Sequence, residues 1–302
     1  MKVLSLTEPY ASLIKNKIKK IETRSWKTNY RGELFIHASL TSISKNTYQN
    51  NELRKLIDFS SCEYGKIICK CNLIDCIYMT KEFIHDIKRN HYQEYICGDY
   101  KEGRYAWILD DIVSLEKPIP AKGQLSIWNY YNEEEIMNIM DTIQYGFVDN
   151  KKNIHNTVNN QIDDSYILQK PNEVLNNKIG ICWDQVELER YLFRGNIFPT
   201  ESYFLFYYSP TISFNHTFLV YQKENDFYWF EHSFEKYKGI HKYKSKNELF
   251  RDVIDKFILS HKSYNISSSE LELFQFKKPK YHINHQEFVR HCTSSLEINI
   301  KK

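Results

Sequence analysis

The sequence predicts an α+β protein built from two halves, a strand-rich first half and a second half that mixes helices with strands. Three observations lead to this prediction. The 302 residues are enough for two domains, each with its own core. Strand-like runs separated by turn residues fill residues 1–130, and at 129–143, NYYNEEEIMNIMDTI, the apolar spacing changes to that of a helix.

The first half predicts a small β-barrel with peripheral helices. Its apolar runs are ELFIHASL, KIICKCNLIDCIYM and RYAWILDDIVSL, which have the length and β-branched content of strands. An early helical stretch covers Tyr10–Lys17. Few other segments of this half have the spacing of a long helix, so a barrel is the expected architecture.

The second half begins at a helix start signal. Asn132 is suited to cap a helix, and Glu135 follows three residues later, as in a capping box. We therefore place the domain boundary at 131/132, which gives domains 1–131 and 132–302. Further along the chain the pattern predicts a loop, three strands and a long helix, followed by a final strand and helix. Their predicted bounds are 149–163 for the loop, 202–208, 214–222 and 227–232 for the strands, and 246–261 for the helix.

Composition narrows the classes of protein that the chain can belong to. Hydrophobic residues make up 42% and charged residues 26%, which is typical of globular proteins, and the net charge of +3 demands no polyanionic partner. The start of the chain is interrupted by Glu8, Pro9 and lysines, unlike a signal peptide, and no apolar stretch is long enough to cross a bilayer. We expect a cytoplasmic protein with no membrane partner.

The seven cysteines are odd in number, so they cannot all pair within the chain. Five of them lie in 62–97, where reduced thiols packed in a core are the expected state. A zinc site is the alternative, but the chain has no pair of C-x-x-C motifs to support it. We predict neither a metal site nor a cofactor.

A short basic and aromatic segment in the first half is a candidate nucleic-acid site. Cations satisfy phosphates, and aromatic rings stack on bases. A carboxylate among them could accept a hydrogen bond from an amino group on a base. The candidate residues are Lys19, Glu22, Arg24, Trp26, Lys27, Tyr30 and Arg31. A solvated charged face with two core aromatics is the alternative interpretation.

Three motifs in this half, IETRSWKTNYRGELFIHAS, GRYAWILDD and KPIPAKGQLSIW, resemble the ASCH domain, a PUA-like β-barrel, over residues 2–130. The resemblance implies that this domain binds RNA or a nucleotide. Some small ASCH proteins are amidohydrolases of acetylated cytidine, whose catalytic set begins with a lysine followed three positions later by a threonine. Lys19 matches the lysine, but Glu22 stands at the threonine position and cannot be the same hydroxyl nucleophile.

The second half contains a candidate cysteine nucleophile. In ICWDQVELERYLF, residues 181–193, Cys182 directly precedes a helical pattern. The positive end of the helix dipole favours the thiolate form of a cysteine at this position. A thiolate nucleophile needs a base, and the base needs a group that orients it.

A downstream hairpin could supply both groups. The runs FNHTFLVYQ and FYWFEHSFEKY are joined by the polar turn at 223–226. A loop of two or four residues centred on Glu224–Asn225 places Glu231 on the face of His216, whereas a three-residue loop offers His232 instead. The even loop is the commoner hairpin.

The order of a cysteine on a helix, a histidine on a strand and an acid on the next strand resembles the transglutaminase-like thiol enzymes, which are related to papain-fold peptidases. The closest local matches are IGICWDQVELER, HTFLVY and YWFEHS. The resemblance implies a papain/transglutaminase-like α+β domain in which Cys182 is the nucleophile, His216 the base and general acid, and Glu231 the orienting group. That family usually has aspartate in the third position. The implied partner is a protein or peptide amide.

Two other functions are consistent with the sequence. In one, the second half is a catalytically silent scaffold and the protein is an RNA-binding or regulatory protein. In the other, the first half is an acetylcytidine amidohydrolase. The expected function is a cysteine-dependent hydrolase or acyltransferase joined to an RNA-binding module, with the physiological substrate left open.

Overall fold

The computed structural model describes residues 1–157 and 165–299. Contacts divide the described chain into two compact units. The first unit comprises residues 1–130 with 195–197, and the second comprises 131–194 and the chain from 198 onward. The contact boundary lies beside the predicted 131/132 boundary. Independent folding of the two halves stays a prediction.

A single six-stranded sheet forms the frame of the first unit, with the order β2-β5-β4-β3-β1-β6. β1 and β3 are parallel, and the other neighbouring pairs are antiparallel. The strands are β1 Lys2–Leu6, β2 Ile21–Arg24, β3 Gly32–Ala38, β4 Lys66–Tyr78, β5 Tyr105–Pro120 and β6 Ile127–Asn129.

The sheet of the first unit curls into a half-barrel. The pairing of β4 with β5 shifts register at three places, between Ile67 and Cys69, between Lys70 and Asn72, and between Leu73 and Asp75. Such bulges bend a strand and increase its twist, so the long strands wrap around the core. Within the described residues the edge strands β2 and β6 do not pair with each other. The predicted barrel is therefore an open, curled sheet, which fits a PUA-like domain.

Short helices surround this sheet. They are α1 Tyr10–Lys15, α2 Lys45–Tyr48, α3 Asn51–Leu56, α4 Lys81–Asn90 and α5 Tyr92–Ile96. α1 confirms the predicted early helix and buries Leu13 and Ile14. The cysteine-rich strand β4 buries Cys69 and Cys71 in the main apolar cluster, together with Trp107. These thiols are unpaired, and they occupy the core as packing groups.

The second unit is built on a second six-stranded sheet, which is antiparallel throughout, with the order β12-β11-β10-β9-β13-β14. A separate short ribbon pairs β7 with β8. The strands are β7 Phe147–Val148, β8 Ile154–His155, β9 Thr200–Tyr208, β10 Ser213–Lys223, β11 Asp226–Glu231, β12 Gly239–Tyr243, β13 Leu271–Phe276 and β14 Leu296–Glu297.

Helices cover both faces of this sheet. They are α6 Glu133–Met140, α7 Pro171–Asn177, α8 Cys182–Leu192, α9 Lys246–Ser260 and α10 His285–Thr293. One apolar cluster joins α8 to Phe204, Leu219 and Phe230. A second cluster joins α9 to Tyr203, whose neighbours along β9 alternate between the two faces. This α+β architecture agrees with the predicted fold class. The helix α9 ends one residue before the predicted bounds of 246–261.

The start of the second unit has the predicted capping box. The Asn132 side-chain oxygen accepts from the Glu135 backbone N–H at 2.8 Å, and the Glu135 carboxylate accepts from the Asn132 N–H at 2.9 Å. The predicted loop at 149–163 needs a correction, because Ile154–His155 forms a short strand against β7. Residues 158–163 of that loop lie outside the described part of the chain.

None of the helices in the described residues is both long enough and apolar enough to cross a membrane.

Candidate active site and nucleic-acid pocket

Cys182 is the first residue of α8, and the sequence around it explains why the helix begins there. The Asp184 carboxylate accepts hydrogen bonds from the backbone N–H of Ile181 at 3.1 Å and of Gln169 at 2.9 Å. Asp184 thus caps the chain at the helix start and ties it to a neighbouring segment. Gly180 leaves room for this carboxylate, because a β-carbon there would lie 2.8 Å from the Asp184 β-carbon. Cys182, at the start of the helix, is 5% exposed.

The strands β10 and β11 bring His216 and Glu231 together. Lys223 pairs with Asp226, so the hairpin loop has two residues, Glu224 and Asn225. This register places Glu231 on the face of His216, where its carboxylate accepts from the histidine Nε2 at 2.7 Å. The Cys182 thiol lies next to the same ring and contributes to its electrostatic environment. Since Nε2 faces the carboxylate, Nδ1 is the nitrogen left for the thiol.

Glu231 is 1% exposed, and four donors hold its carboxylate. One oxygen accepts from His216 and from the Trp229 indole N–H at 3.1 Å. The other accepts from the Ser233 hydroxyl at 3.1 Å and the Phe234 backbone N–H at 2.7 Å. Both oxygens are therefore fixed, and the longer glutamate side chain is held in one orientation toward the imidazole.

His232, the alternative partner from the odd-loop register, faces away from His216. Its Nδ1 bonds to the Gln185 side-chain oxygen at 2.8 Å, and its Nε2 lies 3.4 Å from the Asp141 carboxylate. Burial and the nearby Lys238 charge hold the pKa of His232 below its ordinary value. The His232 ring therefore connects the hairpin to α8. Of the two candidate partners, Glu231 contacts His216 and His232 does not.

The buried pair is electrostatically coupled. Burial alone would lower the pKa of His216, but the Glu231 charge, the hydrogen bond with Glu231 and the adjacent Cys182 outweigh burial and raise it. Burial would likewise raise the pKa of Glu231, whereas the His216 charge and the hydrogen bonds with His216, Phe234 and Ser233 lower it. The arrangement favours an imidazolium–carboxylate pair next to the thiol.

Tyr145 is a site residue that sequence reasoning missed. The residue is 48% exposed, yet its hydroxyl lies close enough to the Cys182 thiol to interact with it electrostatically. Burial of the hydroxyl and the adjacent Cys182 raise the pKa of Tyr145 well above its usual value, so it is a neutral donor. Tyr145 follows Gln144, whose backbone bridges to Ile179 just before the cysteine segment. Only this tertiary bridge identifies Tyr145, since no local motif does.

Trp183 fixes the first turn of α8. Its indole N–H donates to the Asn215 side-chain oxygen at 2.8 Å, and its ring stacks on Phe288 at 4.3 Å. Asn215 immediately precedes His216, so this bond ties the cysteine helix to the histidine strand. The first-turn N–H groups at Cys182 and Trp183 have no acceptor within the helix and carry partial positive charge. They are the natural position for an oxyanion.

The structure divides the seven predicted nucleic-acid residues into two groups. Lys19, Glu22 and Arg24 line a cavity of about 370 Å³ in the first unit, along with Tyr10 and Arg104. Lys19 is 1% exposed and donates to the backbone oxygens of Ile21 at 2.5 Å and Cys97 at 2.9 Å. It is too buried to meet a phosphate on the surface.

Within this cavity Glu22 is shared between two cations. Its carboxylate lies 3.5 Å from the Lys19 ammonium and 3.1 Å from the Arg24 guanidinium. Arg24 also donates to the Ser5 backbone oxygen at 3.1 Å, while part of its side chain stays accessible. A polar pocket of this kind offers a buried acceptor at its base and cationic groups around it.

The other four residues lie outside that cavity. Trp26 packs edge-on against Trp107 at 4.6 Å, and the Tyr30 hydroxyl donates to the Glu33 backbone oxygen at 2.5 Å. Arg31 pairs with Asp75 at 3.0 Å, and Lys27 is exposed. Trp26 and Tyr30 pack against the core cluster of the sheet, so their first role is structural.

In the described residues no three His, Cys, Asp or Glu side chains are placed to hold a metal ion. All seven cysteines are free thiols.

Comparison with known proteins covers part of the chain. No curated protein matches it. The family model of the ASCH domain matches residues 4–119, which include the end of β1, all of β2 to β4, nearly all of β5, and Lys19, Glu22 and Arg24 of the cavity. Residues 4–119 of this chain therefore form an ASCH domain.

Proposed function

We propose that the second unit is a cysteine-dependent acyl-transfer enzyme and that the ASCH domain binds RNA or a nucleotide. In the second unit Cys182 is the nucleophile, His216 the general acid and base, and Glu231 the group that orients the imidazole. The observation that carries this proposal is the 2.7 Å bond between His216 Nε2 and a fully hydrogen-bonded Glu231, with the Cys182 thiol next to the same ring.

The reaction has two steps. The Cys182 thiolate attacks the carbonyl carbon of an amide or ester, and the C–N or C–O bond breaks as the His216 imidazolium gives its proton to the leaving group. The product is a thioester on Cys182 and a neutral His216. Water or an amine then gives a proton to His216 and attacks the thioester, which releases the acid or the new amide and restores the thiolate.

Two groups suit the negative oxygen that develops during the attack. The backbone N–H groups at the start of α8 lie next to the thiol and cost no reorganisation. The Tyr145 hydroxyl is a neutral donor already at the thiol, and it could turn to the oxyanion when the carbonyl carbon is attacked. Glu231 stabilises the imidazolium that the mechanism requires.

The resemblance to transglutaminase-like enzymes supports a protein or peptide amide as the substrate. The order of helix cysteine, strand histidine and strand acid is the part of the chain that bears this likeness, and the papain-like fold of the whole unit is an inference from it. A reducing compartment such as the cytoplasm suits seven free thiols, one of them a nucleophile.

The ASCH domain suggests RNA binding in general. In our proposal the cavity with Lys19, Glu22 and Arg24 takes the polar edge of one base, with Glu22 accepting from an amino group. Arg24 and Arg104 lie at the same cavity and retain exposed surface for a phosphate. The Lys19 ammonium is held by Glu22 and by two backbone oxygens, which leaves it poorly placed to take part in acetylcytidine hydrolysis.

Mass spectrometry with p-nitrophenyl acetate tests the enzyme proposal. The wild-type protein should gain one acetyl group, on the peptide that contains Cys182. Cys182→Ser should abolish acetylation of that peptide, and His216→Ala should slow it by at least about a hundredfold. Cys76→Ser is the matched control, since it removes a partly exposed thiol elsewhere, and it should leave the rate unchanged. Acetylation that is equal in wild type and His216→Ala would contradict the proposal.

A further inference from the structure

The first unit contains a second, larger cavity away from the Lys19 cavity. Its volume is about 660 Å³, which is in the range of small-ligand sites. The segment 42–64, between β3 and β4, supplies all of its lining, including Tyr48, Arg54, Lys55 and Asp58. None of the residues predicted to bind nucleic acid lies in it.

An aromatic ring stands exposed at this cavity. Tyr48 is 54% exposed although it is a large side chain, and the Phe59 ring supports it at 5.7 Å. The Arg54 guanidinium lies over the Tyr48 ring at 5.6 Å from its centroid. Aromatic rings and guanidinium planes are the two side-chain surfaces on which unpaired RNA bases stack.

The charges around the cavity favour an anion. Arg54 and Lys55 are both exposed, and neither forms an ion pair with a described carboxylate. Asp58 is the one acidic residue of the lining, and its carboxylate accepts from the Ser60 N–H at 2.9 Å and hydroxyl at 2.6 Å. Two unpaired cations beside one carboxylate that is already hydrogen-bonded leave a net positive site.

The two cavities of the first unit border one apolar cluster. Tyr10 lines the smaller cavity and packs in an apolar cluster with Leu53. Ile57 and Phe59 belong to the same cluster and line the larger cavity. This apolar cluster therefore connects the linings of the two cavities.

We propose that the 660 Å³ cavity is a nucleotide subsite for single-stranded RNA, in which a base stacks on Tyr48 and Arg54 and its phosphate meets Lys55. This proposal rests on the proposed RNA binding of the ASCH domain and adds a second contact to it.

Fluorescence anisotropy with labelled 12-nucleotide oligo(A) and oligo(U) tests the subsite on the full chain. Tyr48→Ala should weaken binding by about five- to a hundredfold, since stacking on one base is lost, and Tyr48→Phe should stay within about twofold. Tyr78→Ala is the matched control, because Tyr78 is 50% exposed and lines neither cavity.

The salt dependence tests the phosphate contact. The double variant Arg54→Gln, Lys55→Gln should reduce the slope of log affinity against log salt by about 0.7 for each lost phosphate contact. Lys45→Gln removes an exposed charge from the adjacent α2, outside the cavity lining, and should change the slope little.

The outcomes separate the subsite from RNA binding itself. If Tyr48→Ala and the double variant bind like wild type while Arg24→Gln binds more weakly, the subsite is wrong and RNA binding by the ASCH domain stands. If the wild type binds neither oligonucleotide, both proposals are wrong. Displacement of the oligonucleotide by micromolar adenosine monophosphate would identify a free nucleotide as the occupant and overturn the RNA subsite.

Discussion

Replacing Glu231 by glutamine should destabilise the second unit, because a buried carboxylate with four donors becomes an amide. Glu231 accepts from His216 and Trp229 on one oxygen and from Ser233 and Phe234 on the other. A glutamine of the same length offers one oxygen and one NH2 group. In either orientation of the amide, its NH2 group takes the place of one carboxylate oxygen. The two donors that bonded to that oxygen then face another donor and have no acceptor.

The magnitude follows from those lost contacts. A hydrogen bond to a charged group contributes about 1.5–3 kcal/mol, and removal of one partner of a buried ion pair costs about 3–5 kcal/mol. We expect Glu231→Gln to lower the free energy of unfolding of the second unit by about 3–5 kcal/mol. Urea denaturation of the full chain, followed by circular dichroism and tryptophan fluorescence, measures it.

Glu224→Gln is the control for this substitution. Glu224 lies in the turn of the same hairpin and is exposed, so its change should stay within about 0.5 kcal/mol of wild type. A Glu231→Gln variant that unfolds within the same 0.5 kcal/mol, with unchanged reactivity of Cys182, would refute the role of Glu231 as the fixed partner of His216.

Three further predictions concern pH, the oxyanion and RNA. The folded-state pKa of His216 is raised above its ordinary value of 6.5. The contribution of this histidine to stability should therefore be complete below about pH 6.5 and lost as the pH rises through the folded-state pKa. Urea titrations at several pH values should show this loss in wild type and not in His216→Ala. Tyr145→Phe should slow acetylation of Cys182 by about a hundredfold, because it removes a hydroxyl at the reacting thiol. The free energy of unfolding should change little. An unchanged acetylation rate would exclude the hydroxyl from the reaction. Arg24→Gln should weaken RNA binding and reduce the salt slope by about 0.7, measured by anisotropy, if Arg24 meets a phosphate; an unchanged slope would show that it does not.

Local sequence signals predicted the elements that carry the candidate site. The capping residues Asn132 and Glu135 marked α6, and alternating apolar residues marked β9, β10 and β11 to within a few residues. The two-residue turn at Glu224–Asn225 then determined which side of β11 faces His216, because strand faces alternate with a period of two. Register was therefore predictable from the turn.

Contacts between distant segments were not predictable in the same way. Tyr145 reaches the thiol through the bridge of Gln144 with Ile179, and such a bridge has no local signature. Lys19 was predicted as a phosphate ligand, yet the fold buries it against Glu22 and two backbone oxygens. Spacing along a strand shows which residues are neighbours, but burial depends on what packs over them.

The open edge of the first sheet was also not predicted. Strand-like runs of this length are compatible with a barrel or with an open curled sheet, and the difference depends on whether β2 and β6 meet. Register shifts in β4 and β5 set the curvature of the sheet, and they depend on pairing between residues some 40 positions apart, such as Lys70 and Val113.

Cys182 can act as the nucleophile only if its thiol is activated, and alkylation by iodoacetamide at about pH 6 measures that activation. The other six cysteines are internal controls, since burial raises the pKa of Cys62 and Cys97 to about 11 and that of Cys71 to about 12. We predict that the Cys182 peptide labels much faster than the other six after a short pulse, and that His216→Ala removes this difference. Labelling of Cys182 no faster than the controls, unchanged by His216→Ala, would show that Cys182 is a packing residue and not a nucleophile.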